Sequence, residues 1–272
     1  MAKERISFVI LTWNSERYIE DCIASVLSLD DLCLEIQVVD NGSIDGTVGI
    51  LNRMIAGDDR LSVRELGENL GATAPRNLAL REISDTATHV CVLDSDTVVN
   101  RDAFEAMLSV LHAHSDIGVV GPEMASSSGE VQLSGRNLPT VGLKLRKAWP
   151  FGGVAERAAE EERPTTPVRN GARDVGYLLS ACWLMSASTL TRVGLLDEAI
   201  FYAPEDVDWC LRCHEAGLRV CFCPGARIIH EYQRLSHKKL LSRTNYEHIK
   251  GLFHYFHKHG YLFNSPLYRR RR

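Results

Sequence analysis

Residues 90–96 read Val90-Cys91-Val92-Leu93-Asp94-Ser95-Asp96, four apolar residues that stop at two carboxylates one residue apart. So short an apolar run, without polar alternation, is the pattern of a strand buried on both faces, as in a parallel sheet. The same transition occurs twice upstream. Residues 6–11, apolar but for Ser7, lead into Thr12-Trp13-Asn14, and residues 35–39 lead into Asp40-Asn41-Gly42-Ser43. Helical patterns lie between these strands. Tyr18, Ile19, Cys22, Ile23, Val26 and Leu27 recur at helical spacing behind Ser15, a candidate N-cap. Residues 46–54, 74–83 and 102–112 read as further helices, with Pro75 acceptable in a first turn, and 61–66 reads as another strand. Alternating strands and helices imply βαβ units with right-handed crossovers. Ligands of such sheets bind at the carboxyl ends of the strands, where all three polar motifs fall.

Farther along, residues 134–174 are rich in Gly, Pro, Arg and Glu, which predicts a long mobile loop over about 135–174. Order resumes at Val175. Residues 204–216 predict a helix, 220–222 and 226–229 short strands, and 246–257 a late helix. The 272 residues suit one large α/β domain or two small ones. The expected organisation is a ligand-binding amino-terminal half (1–115), a second half of the same domain (116–232) and a basic helical C-terminal extension (233–272).

Composition narrows the class. The longest apolar stretch, around 175–185, is too short to span a bilayer, which needs about 20 residues, and no signal sequence opens the chain, so a cytoplasmic protein is expected. Eight cysteines fit that setting as free thiols. Cys210, Cys213, Cys221 and Cys223 invite a zinc reading, but the first pair sits at helical spacing and the second flanks Phe222 in a short strand. Charge is uneven. Residues 230–272 hold ten Lys/Arg against two Glu, a local +8, so the preceding residues carry −12 of the total −4. Such a block attracts anionic lipid headgroups or pyrophosphate. No RNA-binding aromatic signature accompanies it, so no nucleic acid is expected.

The motifs suggest chemistry. Asp94 and Asp96 can meet one divalent cation, and hard ions such as Mg²⁺ and Mn²⁺ take oxygen ligands. A diphosphate leaving group needs that compensation. A pair of this kind can also merely shape a turn. Asp40 can accept a hydrogen bond from a nucleobase N–H, while Asp45 or Thr47 can cap the next helix. Glu205-Asp206-Val207-Asp208 opens a helix, where a carboxylate stays ionised and can act as general base or simply as cap.

Together the motifs resemble the family 2 inverting glycosyltransferases of the GT-A fold, especially bacterial rhamnosyltransferase-like members that build O-antigen and other surface polysaccharides. The likeness runs from Ile6 to about His230. It rests on Thr12-Trp13-Asn14, Asp40-Asn41-Gly42-Ser43, Asp45-Gly46-Thr47, Asn69-Leu70-Gly71, Arg76-Asn77, Asp94-Ser95-Asp96, Leu196-Asp197-Glu198, Phe201-Tyr202, Glu205-Asp206-Val207-Asp208 and Arg212. The fold it implies is a Rossmann-like, mostly parallel central sheet flanked by helices. It further implies that Thr12, Asn14, Asp40, Asn69, Arg76, Asp94 and Ser95 hold the sugar nucleotide. Asp94, Asp96 and His230 would hold Mn²⁺ or Mg²⁺. Asp206 would be the general base, with Glu205 and Trp183 on the acceptor side. Two positions depart from the pattern: Ala181 stands where many relatives have Gly, and Pro204 where an aromatic or polar residue is common.

The implied reaction is direct displacement with inversion, from a UDP- or dTDP-sugar (dTDP-rhamnose among them) to a hydroxyl of a glycan, lipid-linked or free. The basic tail would rest on the inner face of the plasma membrane, with Leu252 and Phe256 packed on the core. The alternatives are a sugar-nucleotide nucleotidyltransferase and a non-catalytic nucleotide-sugar-binding protein. The former usually carries a Gly-rich basic loop where this chain has Thr12-Trp13-Asn14. No Gly-x-Gly-x-x-Gly follows the first strand, which removes a dinucleotide-dependent oxidoreductase.

Overall fold

In a computed structural model, residues 4–149, 151–231, 243–263 and 265–269 are described, with the backbone alone at 243, 244, 268 and 269. The amino-terminal half alternates as the periodicity predicts: β1 (Ile6–Thr12), α1 (Ile19–Leu27), β2 (Cys33–Asp40), α2 (Thr47–Ile55), β3 (Leu61–Glu65), α3 (Thr73–Leu80), β4 (His89–Asp94), β5 (Thr97–Val98) and α4 (Arg101–Ala113). Then follow β6 (Ile117–Ala125), β7 (Val131–Gln132), β8 (Gly135–Arg136), α5 (Val141–Lys147), α6 (Val154–Glu161), β9 (Arg173–Asp174), β10 (Tyr177–Leu178) and β11 (Cys182–Ser186). The chain closes with α7 (Ala187–Val193), α8 (Glu205–Glu215), β12 (Arg219–His230), α9 (Arg243–His259) and α10 (Pro266–Arg269).

The main sheet runs β3-β2-β1-β4-β11-β6-β12-β5. β1 lies parallel to both β2 and β4, and the register sets Thr12 beside Asp40 and Leu11 beside Asp94. Strand order therefore reverses between β1 and β4, which opens a crevice above their carboxyl ends. β11 runs antiparallel between β4 and β6, and β12 returns parallel to β6.

Both sheet faces are covered, which is why the strands read as continuous apolar runs. Phe8 and Ile10 face Ile23, Leu51 and Phe104, with the Phe8 and Phe104 rings 5.4 Å apart. Val9, Val90 and Val92 face the other way, onto Trp183, Trp209, Tyr255 and Phe256. Each fully buried side chain of this size contributes about 1.5–3 kcal/mol.

Several expectations change. Ser15 does not cap α1 with its side chain. Its carbonyl accepts from the Tyr18 and Ile19 amides, and its hydroxyl bonds Ser95 at 2.8 Å. The stretch read as loop carries β8, α5, α6 and β9. These helices are short and polar, and α6 buries only Ala158, so no apolar stripe marks them. The two strands expected at 220–222 and 226–229 are one, β12, whose register against β6 breaks between Cys223 and Arg227, around Pro224 and Gly225.

The cysteines are free and buried. Phe256 is buried and Leu252 partly so, packed against the core. Ion pairs fasten α9: Asp208, fully buried, meets Lys258 at 2.7 Å and His259 at 2.8 Å, and Asp197 meets His254 at 2.9 Å. Much of the basic tail, with Leu240, Leu241 and residues 270–272, lies outside the described residues. Among the described residues no helix is long and apolar enough to cross a membrane.

Candidate active site

A cleft of about 370 Å³ opens at the carboxyl ends of the central strands, and Asp94, Ser95, Asp96, Glu205, Asp206 and His230 all line it. Its metal-ligating corner is made by strand pairing. β5 pairs antiparallel with the end of β12, placing His230 opposite Thr97, while the Glu231 amide donates to the Asp96 carbonyl at 2.9 Å. Ligand atoms of Asp94, Asp96 and His230 come within 4.8 Å of one another.

The tautomer of His230 follows from its neighbour. The Gln132 amide nitrogen donates to the His230 carbonyl at 2.8 Å, which turns the Gln132 oxygen toward Nδ1, also at 2.8 Å. Nδ1 therefore carries hydrogen and donates, leaving the Nε2 lone pair 3.4 Å from an Asp96 oxygen. Three lone-pair donors facing one another require a proton or a cation between them. Burial disfavours the protonated imidazole, yet Asp96 and Asp94 outweigh it and hold His230 above its ordinary value. The residues present fit a divalent cation.

Arg76, buried on α3, joins the two ends of the cleft. It donates to Asp94, and to Ser180 and Glu205 at 3.2 Å each. Burial and then the charge of Asp206 push Glu205 up to about 8, with Arg76 pulling the other way. Burial likewise raises Asp94 against the opposing pull of Arg76, although the Asp94 side chain stays one-third exposed. Asp206 accepts one bond, from the Val207 amide at 2.8 Å. Burial raises it too, opposed by that bond and by Arg136 and Lys144. A carboxylate with raised basicity and an uncommitted oxygen can accept a proton from a hydroxyl.

The remaining predicted residues divide. Thr12 and Asp40 are buried side by side and do not line the cleft, but Thr12 Oγ1 and Asp40 Oδ1 lack partners among the described residues. The other Asp40 oxygen accepts from the Gly42 and Ser43 amides. Asn14 and Asn69 shape loops. Asn14 Oδ1 accepts from the Ile44 amide at 2.9 Å, and Asn69 Oδ1 from the Gly71 amide at 3.0 Å. Gly71 itself has φ +87°, and a Cβ there would lie 2.1 Å from the Phe201 carbonyl oxygen, so only glycine lets this loop dock. Glu205 lines the cleft, with Oε1 shared by Arg76 and Ser180.

Trp183 is a correction: it is buried in the core, stacked on Trp209 at 5.2 Å, and its Nε1 donates to the Leu178 carbonyl. Alternation along β11 turns Trp183 toward α8, away from the acceptor side. Reading by motif missed Trp13, Arg136, Lys144, Tyr177, Tyr202 and His248, which also line the cleft. Arg136 and Lys144 sit in the stretch read as loop and His248 in the basic tail, where no pattern marked them.

Residues 7–165 match the family model "Glycosyl transferase family 2". The N-acetylglucosaminyl-diphospho-decaprenol L-rhamnosyltransferase of Mycobacterium tuberculosis is 23% identical over 95% of this chain and 86% of its own length. The poly-beta-1,6-N-acetyl-D-glucosamine synthase of Staphylococcus aureus is 30% identical over 43% of this chain and 28% of its own. Among solved structures, GalNAc-T7 with UDP, GalNAc and Mn²⁺ superposes with a TM-score of 0.70 at 15% identity, over 94% of this chain, which spans 48% of that one. The mannosyltransferase PcManGT from Pyrobaculum calidifontis, in complex with GDP-Man and Mn²⁺, gives 0.63 at 18% identity over 98% of this chain and 67% of its own. These likenesses give the fold, a GT-A type α/β architecture. With the family model spanning more than half of its length, the chain belongs to glycosyl transferase family 2.

Proposed function

We propose that this protein transfers a sugar from a nucleoside diphosphate to a hydroxyl of a glycan acceptor, with inversion and with a divalent cation. The carrying observation is one cleft that joins the Asp94–Asp96–His230 group to Asp206. Bound there, Mn²⁺ or Mg²⁺ would neutralise charge on the leaving diphosphate. Asp94, Asp96 and His230 hold it, with Gln132 orienting His230. Asp206 takes the proton from the attacking hydroxyl. Thr12 and Asp40, with their unpartnered buried oxygens, suit the nucleobase. Arg76 keeps Asp94 and Glu205 in place.

The mycobacterial relative supports a rhamnosyl donor such as dTDP-rhamnose and a lipid-linked acceptor. The enzyme would then work at the cytoplasmic face of the membrane. Exposed Trp149, Phe151, Ile249 and Phe253, together with the basic tail, suit an anionic surface.

Incubation with UDP-, dTDP- and GDP-sugars should give nucleoside diphosphate and glycosylated acceptor with Mn²⁺ and none with chelator. Asp96→Ala should need more metal. Release of pyrophosphate from a nucleoside triphosphate, or full activity of Asp96→Ala in chelator, would refute the reading.

A further inference from the structure

Three basic side chains reach the cleft from three different elements and bond none of the metal-ligating residues: Arg136 from β8, Lys144 from α5 and His248 from α9. Among the described residues neither Arg136 nor Lys144 pairs with Asp94 or Asp96; both pair with Glu162 and form a charged corner of their own in the cleft. Their counter-charge is incomplete. Glu162, almost fully buried, is shared by Arg136 at 3.5 Å, Lys144 at 3.9 Å and Lys147 at 2.6 Å. Glu162, with Asp206 acting on Arg136 and Lys144 at longer range, thus faces three cations, which leaves one positive charge in excess. His248 has no hydrogen-bond or ion-pair partner among the described residues. Burial and the neighbouring Lys144 both hold it below the ordinary histidine value, so near neutral pH it offers an N–H without adding charge.

The surroundings give the ligand its second property. Beyond α5, Trp149 and Phe151 are exposed with rings 6.5 Å apart. On α9, Ile249 and Phe253 project into solvent beside His248. Each of these two elements therefore places a nitrogen donor in the cleft and apolar side chains outside it. An amphiphilic phosphate ester matches both.

We propose that Arg136, Lys144 and His248 form a second anion subsite, distinct from that of the sugar nucleotide, which takes the phosphate or diphosphate of a lipid-linked acceptor and so sets its sugar hydroxyl at Asp206. This rests on the glycosyltransfer reading above and adds to it which residues read the acceptor.

The kinetic test uses one acceptor sugar in two forms, as a diphospho-lipid and as a neutral alkyl glycoside. Lys144→Met and His248→Gln should each raise KM for the diphospho-lipid by about tenfold to a hundredfold, the worth of one charge-assisted hydrogen bond. Measured on the pH plateau of each variant, where Asp206 is ionised, KM for the sugar nucleotide and for the neutral glycoside should stay within about twofold. Equal loss on both acceptors, a rise confined to the sugar nucleotide, or no change would overturn the subsite. A binding test separates this from failure of the transfer reading. In chelator, inorganic pyrophosphate should raise the melting temperature of wild type and of Asp96→Ala, and should do so less for Lys144→Met and His248→Gln. Stabilisation lost in Asp96→Ala and kept in the other two would assign the anion to the metal corner instead.

Discussion

Glu205 and Asp206 are adjacent in the chain and differ in what they touch. Glu205 is held by Arg76 and Ser180, while among the described residues Asp206 accepts only from the Val207 amide, and it lines the cleft. Asp206→Asn keeps the shape and should lower transfer by about 10²–10⁴ with sugar-nucleotide affinity unchanged, measured by turnover and by titration of the nucleotide. Near-normal turnover would move the base elsewhere. The pH dependence has a definite sign. The base works ionised, and burial raises Asp206 above the ordinary aspartate value, so the acidic limb of kcat/KM should lie above pH 4. Lys144→Met removes a cation that favours the ionised form, and the limb should move to higher pH; a shift downward would contradict the assignment. Asp206, Asp94 and Asp96, each of which alone also reads as a cap or a turn, were singled out by the order of their motifs, and all three line one cleft. Trp183 was misread because a motif gives a position without a face, and the alternation of β11 sends it into the core.

At the scale of the element, α9 shows what charge pattern leaves out. The tail reads as basic with Leu252 and Phe256 packed on the core, and Phe256 is buried, but the charge pattern gives no sign that Asp208 and Asp197 clamp its last turns. Gly251 lets α9 lie against the segment leading into α8, since a Cβ there would be 2.2 Å from the Ala203 carbonyl oxygen. Gly251→Val should therefore destabilise the fold by about 1–3 kcal/mol by overpacking, read from the urea midpoint, and should lower transfer by displacing residues 203–206. Unchanged stability and activity would mean that α9 is no part of the site wall. The late helix and the packing of its apolar side were visible in its periodicity, but its ionic anchors were not, because Asp197 and Asp208 lie about 50 residues or more away. Residues 135–174 were illegible for a different reason: helices of seven and eight residues with little buried surface leave no stripe to read.

Across the whole molecule, the parallel block β3-β2-β1-β4 was legible from its apolar runs and polar ends, whereas the antiparallel direction of β11 was not, since periodicity carries no strand direction. β11 pairs with β4 from Cys182↔Leu93 to Ser186↔His89 and also pairs with β6 at Leu184↔Val120. The strands of residues 1–115 and those of residues 116–232 thus belong to one hydrogen-bonded sheet. This has a consequence for motion. A hinge between the two sides would have to break the β4–β11 ladder, whose flanking side chains are buried on both faces. Amides of β4 and β11 should exchange with deuterium only through global unfolding, at rates that a bound sugar nucleotide alters no more than it alters overall stability. Local slowing on binding should appear instead around Arg136, Lys144 and His248, which line the cleft on β8, α5 and α9, outside that ladder.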